Sequence, residues 1–468
     1  MPYPAHSNEI DQNQNQSQNR YPPPADARDA AYRVLSAHAK SFPDLLPVEP
    51  EVEHLDPRDR ALAHAIIRES VVRWMTLRHI VTQLAGRGFE TIEPRMQGVL
   101  IGAAAQLLLL DRLPPHAVIN ESVEWAKKYI RPKAGGMTNA VLRKVARSRG
   151  AHTETLPEDD EHSWIPLSAG GALILEDIHL PQDDISKIST QYSIPKGTIK
   201  RWQHLHPEQA AELIAHTLVY PPTIIYNADW SAIHDPDDLE LLSPHQSDQH
   251  RVYTGSRSNL PKLLDSYLDM RVQDSASSAV VNSIPDCKPA VIVDYCAGQG
   301  TKTCQLAERF PHAHIIAMEI DHHRLNTLSK VCKDLPNAQA HHIDDFEEVT
   351  PEGADLILTD VPCSNSGVLA RRMEARYRPM TVQLHRLVQI QQDIIETVLT
   401  RLKPGGMLTY STCSIEAEEN QDQRSWMLDS YDLNLIAEHV TLPATTPGDD
   451  PSMYTDGSYA CVLQNPSE

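Results

Sequence analysis

The spacing of apolar residues changes along the chain and divides it. From 26 to 150 apolar positions return every three or four residues. Ala31, Val34 and Leu35 share one helical stripe, with His38 at its next place. Pro57 opens a long helical pattern that runs to Gly86, a residue suited to ending a helix. Further helices are predicted over 94–111, 115–130 and 137–148, so 26–150 reads as a compact all-α domain. Residues 192–285 combine a predicted helix over 207–218 with a short strand over 223–226, a small α+β module. From 286 to 468 apolar runs alternate with helical stretches. Strands are predicted over 290–294, 314–318, 355–359 and 407–410, with another ahead of Asp344. That alternation predicts a doubly wound, largely parallel, Rossmann-like sheet. Residues 151–191 are rich in acidic and turn residues around one apolar patch, 172–175, and are expected to be an acidic linker. Residues 1–25, dominated by Asn, Gln and Pro, are expected to be a disordered tail.

A length of 468 residues allows about two to four domains. The longest apolar stretch, 99–110, contains Gly102 and Gln106 and falls short of the roughly 18 residues a membrane span needs. The polar first 20 residues carry no apolar segment of the kind a secretory signal requires. All seven cysteines lie beyond residue 286, with no C-x-x-C pair, which argues against a disulfide framework or a zinc site. A reducing, cytoplasmic setting is expected, with no metal and no membrane partner. The net charge of −21 argues against nucleic acid as a partner. The charge is uneven, however. Residues 26–150 hold 19 Lys and Arg against 14 Asp and Glu, whereas 151–191 hold 1 against 9. Basic residues gather at Arg131, Lys133, Arg143, Lys144, Arg147 and Arg149, as a solvated helix face or an RNA-backbone contact.

In a doubly wound sheet the ligand sits outside the carboxyl ends of the strands. After the first strand comes Asp294-Tyr295-Cys296-Ala297-Gly298-Gln299-Gly300-Thr301-Lys302-Thr303, whose two glycines permit close approach to a ligand. The second strand ends at Glu319, an acidic residue placed to bind ribose hydroxyls. Thr303 stands where a dinucleotide fingerprint needs its third glycine. An S-adenosylmethionine site therefore fits better than a nicotinamide site. Asp344 and Asp345 follow the third strand and could hold an adenine edge. Asp360-Val361-Pro362-Cys363-Ser364-Asn365-Ser366-Gly367 follows the fourth strand, and Ser411-Thr412-Cys413-Ser414 the next. Two cysteines thus fall at strand ends of one sheet, whereas Cys332 and Cys461 read as buried, inert thiols. Methylation of a pyrimidine at carbon 5 needs such a pair. A thiolate adding at carbon 6 makes carbon 5 nucleophilic, and the thiolate must later be expelled. A carboxyl group such as Asp360 can hydrogen-bond the ring nitrogen and amino group.

These motifs, with Val272-Gln273-Asp274, Gln391 and Tyr410-Ser411-Thr412-Cys413-Ser414-Ile415-Glu416-Ala417-Glu418-Glu419-Asn420, resemble the Nol/Nop/Sun RNA 5-methylcytosine methyltransferases over 192–468. Thr138-Asn139-Ala140-Val141-Leu142-Arg143-Lys144 resembles a NusB-like helical domain. The combination is similar to bacterial Sun-type enzymes acting on small-subunit ribosomal RNA. The resemblance implies Cys413 as nucleophile and Cys363 as the aid to product release. It implies Cys296 through Lys302 as the cofactor turn, with Lys302 near cofactor and substrate. It also implies Glu319 for the ribose, Asp345 (or Asp344 beside it) for the adenine side, and Asp360 as the strand-end carboxylate. It implies S-adenosylmethionine as cofactor and RNA as partner, and RNA-binding roles for the helical domain and the 192–285 module. Where the family usually has C-A-A-P-G-G-K, this chain lacks the proline and its glycines are shifted.

Arg371, Arg372, Arg376 and Arg378 follow the Cys363 loop, as a solvated loop or as a clamp on RNA phosphates. Alternatives are the same chemistry on transfer RNA, a non-catalytic RNA-binding or ribosome-assembly factor, and a nicotinamide oxidoreductase. A monomer is expected.

Overall fold

A computed structural model describes residues 22–45, 47–158, 162–267 and 269–467. Most of the expected N-terminal tail, residues 1–21, lies outside them. The described residues form two compact units, one comprising those up to 150 with 175–179, the other 151–174 with 180–467. Among them no helix is long and apolar enough to cross a membrane.

The first unit is helical. Its helices are Ala27–Ser41, Pro57–Val72, Trp74–Ala85, Pro94–Leu109, Pro115–Tyr129 and Ala134–Arg147. Asp26 and Asp56 cap the first two, each accepting hydrogen bonds from backbone N–H groups of the opening turn. The single helix expected from Pro57 to Gly86 is instead two. It breaks at Arg73, whose φ of −111° and ψ of 19° leave the helical region, and Arg73 is itself fully buried. The second piece ends at Gly86 in the left-handed conformation, φ 65°. Pro94–Leu109 runs through the core, with Met96 to Leu108 all buried. Gly98 lets it approach the first helix, because a Cβ there would lie 2.6 Å from the Ser36 nitrogen.

Residues 151–191 are a correction to the linker expected there. Strands Arg149–Thr153, Ser163–Pro166 and Ala172–Leu175 form a three-stranded sheet with the last of these central. Ile165, Ala172 and Leu173 are fully buried. A helix, Asp184–Tyr192, follows and is capped by Asp183. Its Ile185 and Ile188 pack on Ile194, Ile199 and Trp202. Glu154, Glu158, Glu176, Asp177, Asp183 and Asp184 sit at bends, turns and a helix start, where they remain exposed while a sparse apolar set closes a core.

Beyond it, helices Lys196–Leu205 and Ala210–His216 precede a four-stranded antiparallel sheet of 242–244, 250–253, 223–226 and 271–272, in that order.

The large sheet has seven strands: β1 Val291–Asp294, β2 His314–Glu319, β3 Ala338–His342, β4 Ala354–Asp360, β5 Leu402–Thr412, β6 Asn434–Thr441 and β7 Ser458–Gln464. Their order is β3-β2-β1-β4-β5-β7-β6. The strands β1 to β5 run parallel, and β7 is antiparallel to both β5 and β6. Successive side chains point to opposite faces, so both faces need cover. Val293, Ile357 and Leu408 pack with Ile394, Ile395 and Val398 of helix α3, Met380–Leu399. Ile292, Leu356 and Leu358 pack with Leu306 of α1, Thr301–Arg309, and Leu328 of α2, His322–Lys333. The chain winds outward from β1 to β3 and returns to β4 on the other side of β1. The crevice at a parallel sheet's carboxyl edge opens where winding reverses, here between β1 and β4.

Candidate active site

Strands β4 and β5 are paired in register, Asp360 opposite Ser411, so the loops leaving them begin side by side. The Val361 N–H donates to the Ser411 carbonyl at 3.0 Å, and the Gly367 N–H to the Cys413 carbonyl at 3.0 Å. Gly367 is required there, since a Cβ would lie 2.8 Å from the Cys413 oxygen. The result is a Cys363–Cys413 sulfur contact of 3.3 Å. The Cys413 thiol donates to Asn365 Oδ1 at 3.4 Å, and Asn365 Nδ2 donates to the Cys363 carbonyl at 3.0 Å. With the Cys413 proton directed at Asn365, the proton in the sulfur–sulfur contact belongs to Cys363. The hydrogen bond to Cys413, then burial, hold the Cys363 thiol well above its ordinary pKa.

The Cys363 loop hangs on a buried carboxylate. Glu419 accepts from the Ser364 N–H at 2.9 Å, from Ser364 Oγ at 2.5 Å and from Gln391 Nε2 at 3.1 Å. Gln391 also donates to the Pro362 carbonyl at 3.0 Å, and the Tyr410 hydroxyl to the Glu419 carbonyl at 2.6 Å. Burial raises the Glu419 pKa, against the lowering effect of these donors. Sequence reasoning passed over Glu419 and Asn365. Neither lies at a strand end, and an acidic run after a strand is ordinarily solvent-facing.

On the cofactor side, Gly298 and Gly300 have φ of 59° and 95°. The Ala297 N–H donates to the Met318 carbonyl at 2.9 Å, tying the turn to β2. Glu319 is buried, and its Oε1 accepts from the Asp321 N–H at 2.8 Å and pairs with Arg324 at 3.2 Å. Lys302 Nζ donates to Asp360 Oδ2 at 2.7 Å, and Ser411 Oγ to Asp360 Oδ1 at 3.1 Å. Burial works against the Lys302 ammonium. The Asp360 carboxylate outweighs it and holds the lysine pKa above its ordinary value. Burial lifts Asp294 to about 6, and its Oδ1 has no hydrogen-bond partner. Cys296, whose thiol burial pushes well up, is a neutral wall group.

A cavity of about 680 Å³ joins these parts. Its wall includes Tyr295, Cys296, Glu319, Ile343, Asp360, Cys363, Asn365 and Cys413. Ala297, Gly298, Gln299, Gly300 and Thr301 shape the turn without lining it, and Asp345 is also off the wall. Asp344 is 85% exposed, and the apolar Ile343 takes the place expected of the two aspartates. The donor set fits S-adenosylmethionine. A buried carboxylate suits ribose hydroxyls, Ile320 and Ile343 suit an adenine face, and Asp294 and Asp360 suit the amino and sulfonium end. Among the described residues no group of three or more His, Cys, Asp or Glu is arranged to hold a metal ion.

The arginine cluster divides. Arg376 is a correction to the expected phosphate clamp. It is buried, and its guanidinium donates to the Tyr192 carbonyl at 3.2 Å, to Thr217 Oγ1 at 3.1 Å and to the Thr217 carbonyl. Arg371 reaches the cavity wall, but its charge is spent on Asp456 at 2.5 Å and Asp274 at 3.2 Å. Arg372 and Arg378 line the cavity, and Arg372 is 61% exposed. Arg324, which sequence reasoning did not single out, lies on the same wall.

Residues 285–447 match the family described as 16S rRNA methyltransferase RsmB/F, and residues 25–147 match the NusB family. The chain is 26% identical over 435 residues to ribosomal RNA small subunit methyltransferase B of Yersinia pseudotuberculosis, covering 89% of this chain and 93% of that one. The protein of the same name from Yersinia pestis is equally similar. Among solved structures, the crystal structure of PH0851 superposes with a TM-score of 0.70 at 18% identity, over 95% of this chain and 99% of that one, a likeness of fold.

Proposed function

We propose that this chain, whose residues 285–447 match the RsmB/F 16S rRNA methyltransferase family and whose residues 25–147 match the NusB family, forms 5-methylcytosine in small-subunit ribosomal RNA through a cysteine–cytosine adduct with S-adenosylmethionine as methyl donor. The observation that carries the reading is the 3.3 Å contact between Cys363 and Cys413 on the wall of a cavity that also holds Glu319 and Asp360. A non-catalytic assembly factor has no use for two facing thiols beside a Lys302–Asp360 pair.

A base within a structured RNA must be flipped out to reach such a cavity. Asp360, held by Lys302 and Ser411, accepts a hydrogen bond from the amino group of the flipped cytosine, and from its ring nitrogen once that nitrogen takes up the proton that Cys413 gives up. The Cys413 thiolate adds to carbon 6. The electron pair of the 5,6 double bond then resides on carbon 5 as an enamine-like nucleophile. S-adenosylmethionine, when bound against Glu319 and the Cys296–Lys302 turn, supplies an electrophilic methyl group for that carbon. Loss of the carbon-5 proton to water restores the double bond and returns the sulfur–carbon pair to Cys413, and the Cys363 thiol assists this release by hydrogen-bonding the departing sulfur. Arg372 and Arg378 on the wall suit RNA phosphates. The helical unit adds RNA contacts of its own. The seven free thiols suit a reducing compartment such as the cytoplasm, and the enzyme is read as a monomer.

The test is a denaturing gel of the Cys363→Ala variant mixed with unmodified small-subunit ribosomal RNA and S-adenosylmethionine. The methylated base should stay bound to Cys413 and shift the protein band, and Cys363→Ala/Cys413→Ala should show no shift. An unshifted Cys363→Ala variant alongside a wild type that methylates the same RNA would overturn the cysteine roles.

A further inference from the structure

Asn365 stands apart from the rest of the cavity wall. It is a non-glycine residue in the left-handed region, with φ of 61°. Its carboxamide cannot be turned end for end without loss. Nδ2 donates to the Cys363 carbonyl at 3.0 Å, and that carbonyl can only accept. Oδ1 therefore faces Cys413, whose sulfur lies 3.4 Å away. A carboxamide oxygen can only accept, so this contact exists while Cys413 carries its proton and turns repulsive once the sulfur is a thiolate.

We infer that Asn365 is a proton lock on Cys413, holding the thiol in its neutral form until a substrate base displaces the contact. The significance of the lock for catalysis rests on Cys413 being the nucleophile proposed above, although the contact itself does not. A lock suits an enzyme whose thiolate would otherwise lie open to alkylation or oxidation between encounters with RNA. Other charged and titratable groups also surround the sulfur. Cys363 donates to it, and Lys302, Arg371 and Arg378 bring positive charge to the same cavity region. Asp360 lies on the wall and Glu419 behind the Cys363 loop. All of these remain when Asn365 is changed, so a change at this position alone isolates the carboxamide.

The experiment measures the rate at which iodoacetamide alkylates Cys413 in the full-length protein between pH 6 and 10. The Cys413 peptide is followed by mass spectrometry. Asn365→Gly removes the acceptor and keeps a residue that accepts positive φ. Its alkylation at pH 7 should be about three- to tenfold faster than wild type, with the profile moved to lower pH. Asn365→Asp keeps an acceptor and adds negative charge, so its profile should move to higher pH. A merely structural role would not move the two profiles in opposite directions. Alkylation of Asn365→Gly that is unchanged or slower at pH 7 would overturn the lock. Because alkylation reads the thiol and not the methyl transfer, that result would leave the nucleophile assignment to the gel experiment.

Discussion

The two arginine-rich segments read alike in sequence and have opposite fates. In the helical unit, Arg131, Lys133, Arg143, Lys144 and Arg147 stand exposed. Their contacts are surface ones, such as Arg143 with Asn139 at 3.1 Å and Lys144 with the Leu84 carbonyl at 2.9 Å. After the Cys363 loop, Arg376 is sealed among carbonyls and Arg371 binds two carboxylates, while Arg378 and Arg372, the latter 3.9 Å from Glu374, line the cavity. A guanidinium taken out of water must be fully paired, whereas one on a helix face costs little either way. The count of positive charges therefore says little about RNA binding until each charge is assigned an environment.

The largest expected effect comes from the paired set. Arg371→Met should cost about 3–5 kcal/mol in urea unfolding, because Asp274 and Asp456 lose their counter-charge. A loss below about 1 kcal/mol would show that the pair is effectively solvated and break the contrast. The next concerns pH. Burial raises Asp294 to about 6, so its native carboxyl holds a proton between about pH 4 and 6 and loses stability as pH rises through that window. Burial lowers His216 and His250 to about 4, so these lose stability as pH falls from about 6.5 to 4. The two effects oppose each other. Asp294→Asn should steepen acid destabilisation between pH 6 and 4 by up to about 3 kcal/mol, read from urea midpoints. An unchanged slope would mean that Asp294 titrates as in the unfolded chain.

Smaller effects come from the charges left to solvent. Arg372→Glu should weaken RNA binding and reduce its salt slope by about 1, without a change in thermal midpoint. Equal slopes for variant and wild type would remove Arg372 from the RNA path. Arg143→Glu should alter stability by no more than about 0.5 kcal/mol. A larger loss would show that the helical unit also ties its basic face into its fold.

Much of the site was legible because strand ends are legible. Apolar runs of four to six residues marked β1, β2 and β4, and the sheet rule directed attention to whatever follows them. That reached Cys363, Cys413, Asp360, Glu319 and the glycine turn. Residues 151–191 were misread because acidic composition outweighed a short alternation of apolar residues. The break at Arg73 was missed because the apolar period continues through it. Arg376 has no local signature, and the motifs that contain Glu419 and Asn365 do not by themselves give those residues a role. Their roles depend on partners such as Thr217, Ser364 and Cys413, many residues away.

The sequence by itself determined the succession of β1 to β5 with helices between them and the residue types available at each strand end, since periodicity and turn chemistry act over a few residues. Only the tertiary structure decided which charges are buried, that Cys363 and Cys413 face each other, and that a carboxamide faces the sulfur of Cys413. Those outcomes depend on desolvation and on hydrogen bonds closing over 3 to 4 Å, and such distances exist only once distant segments have packed.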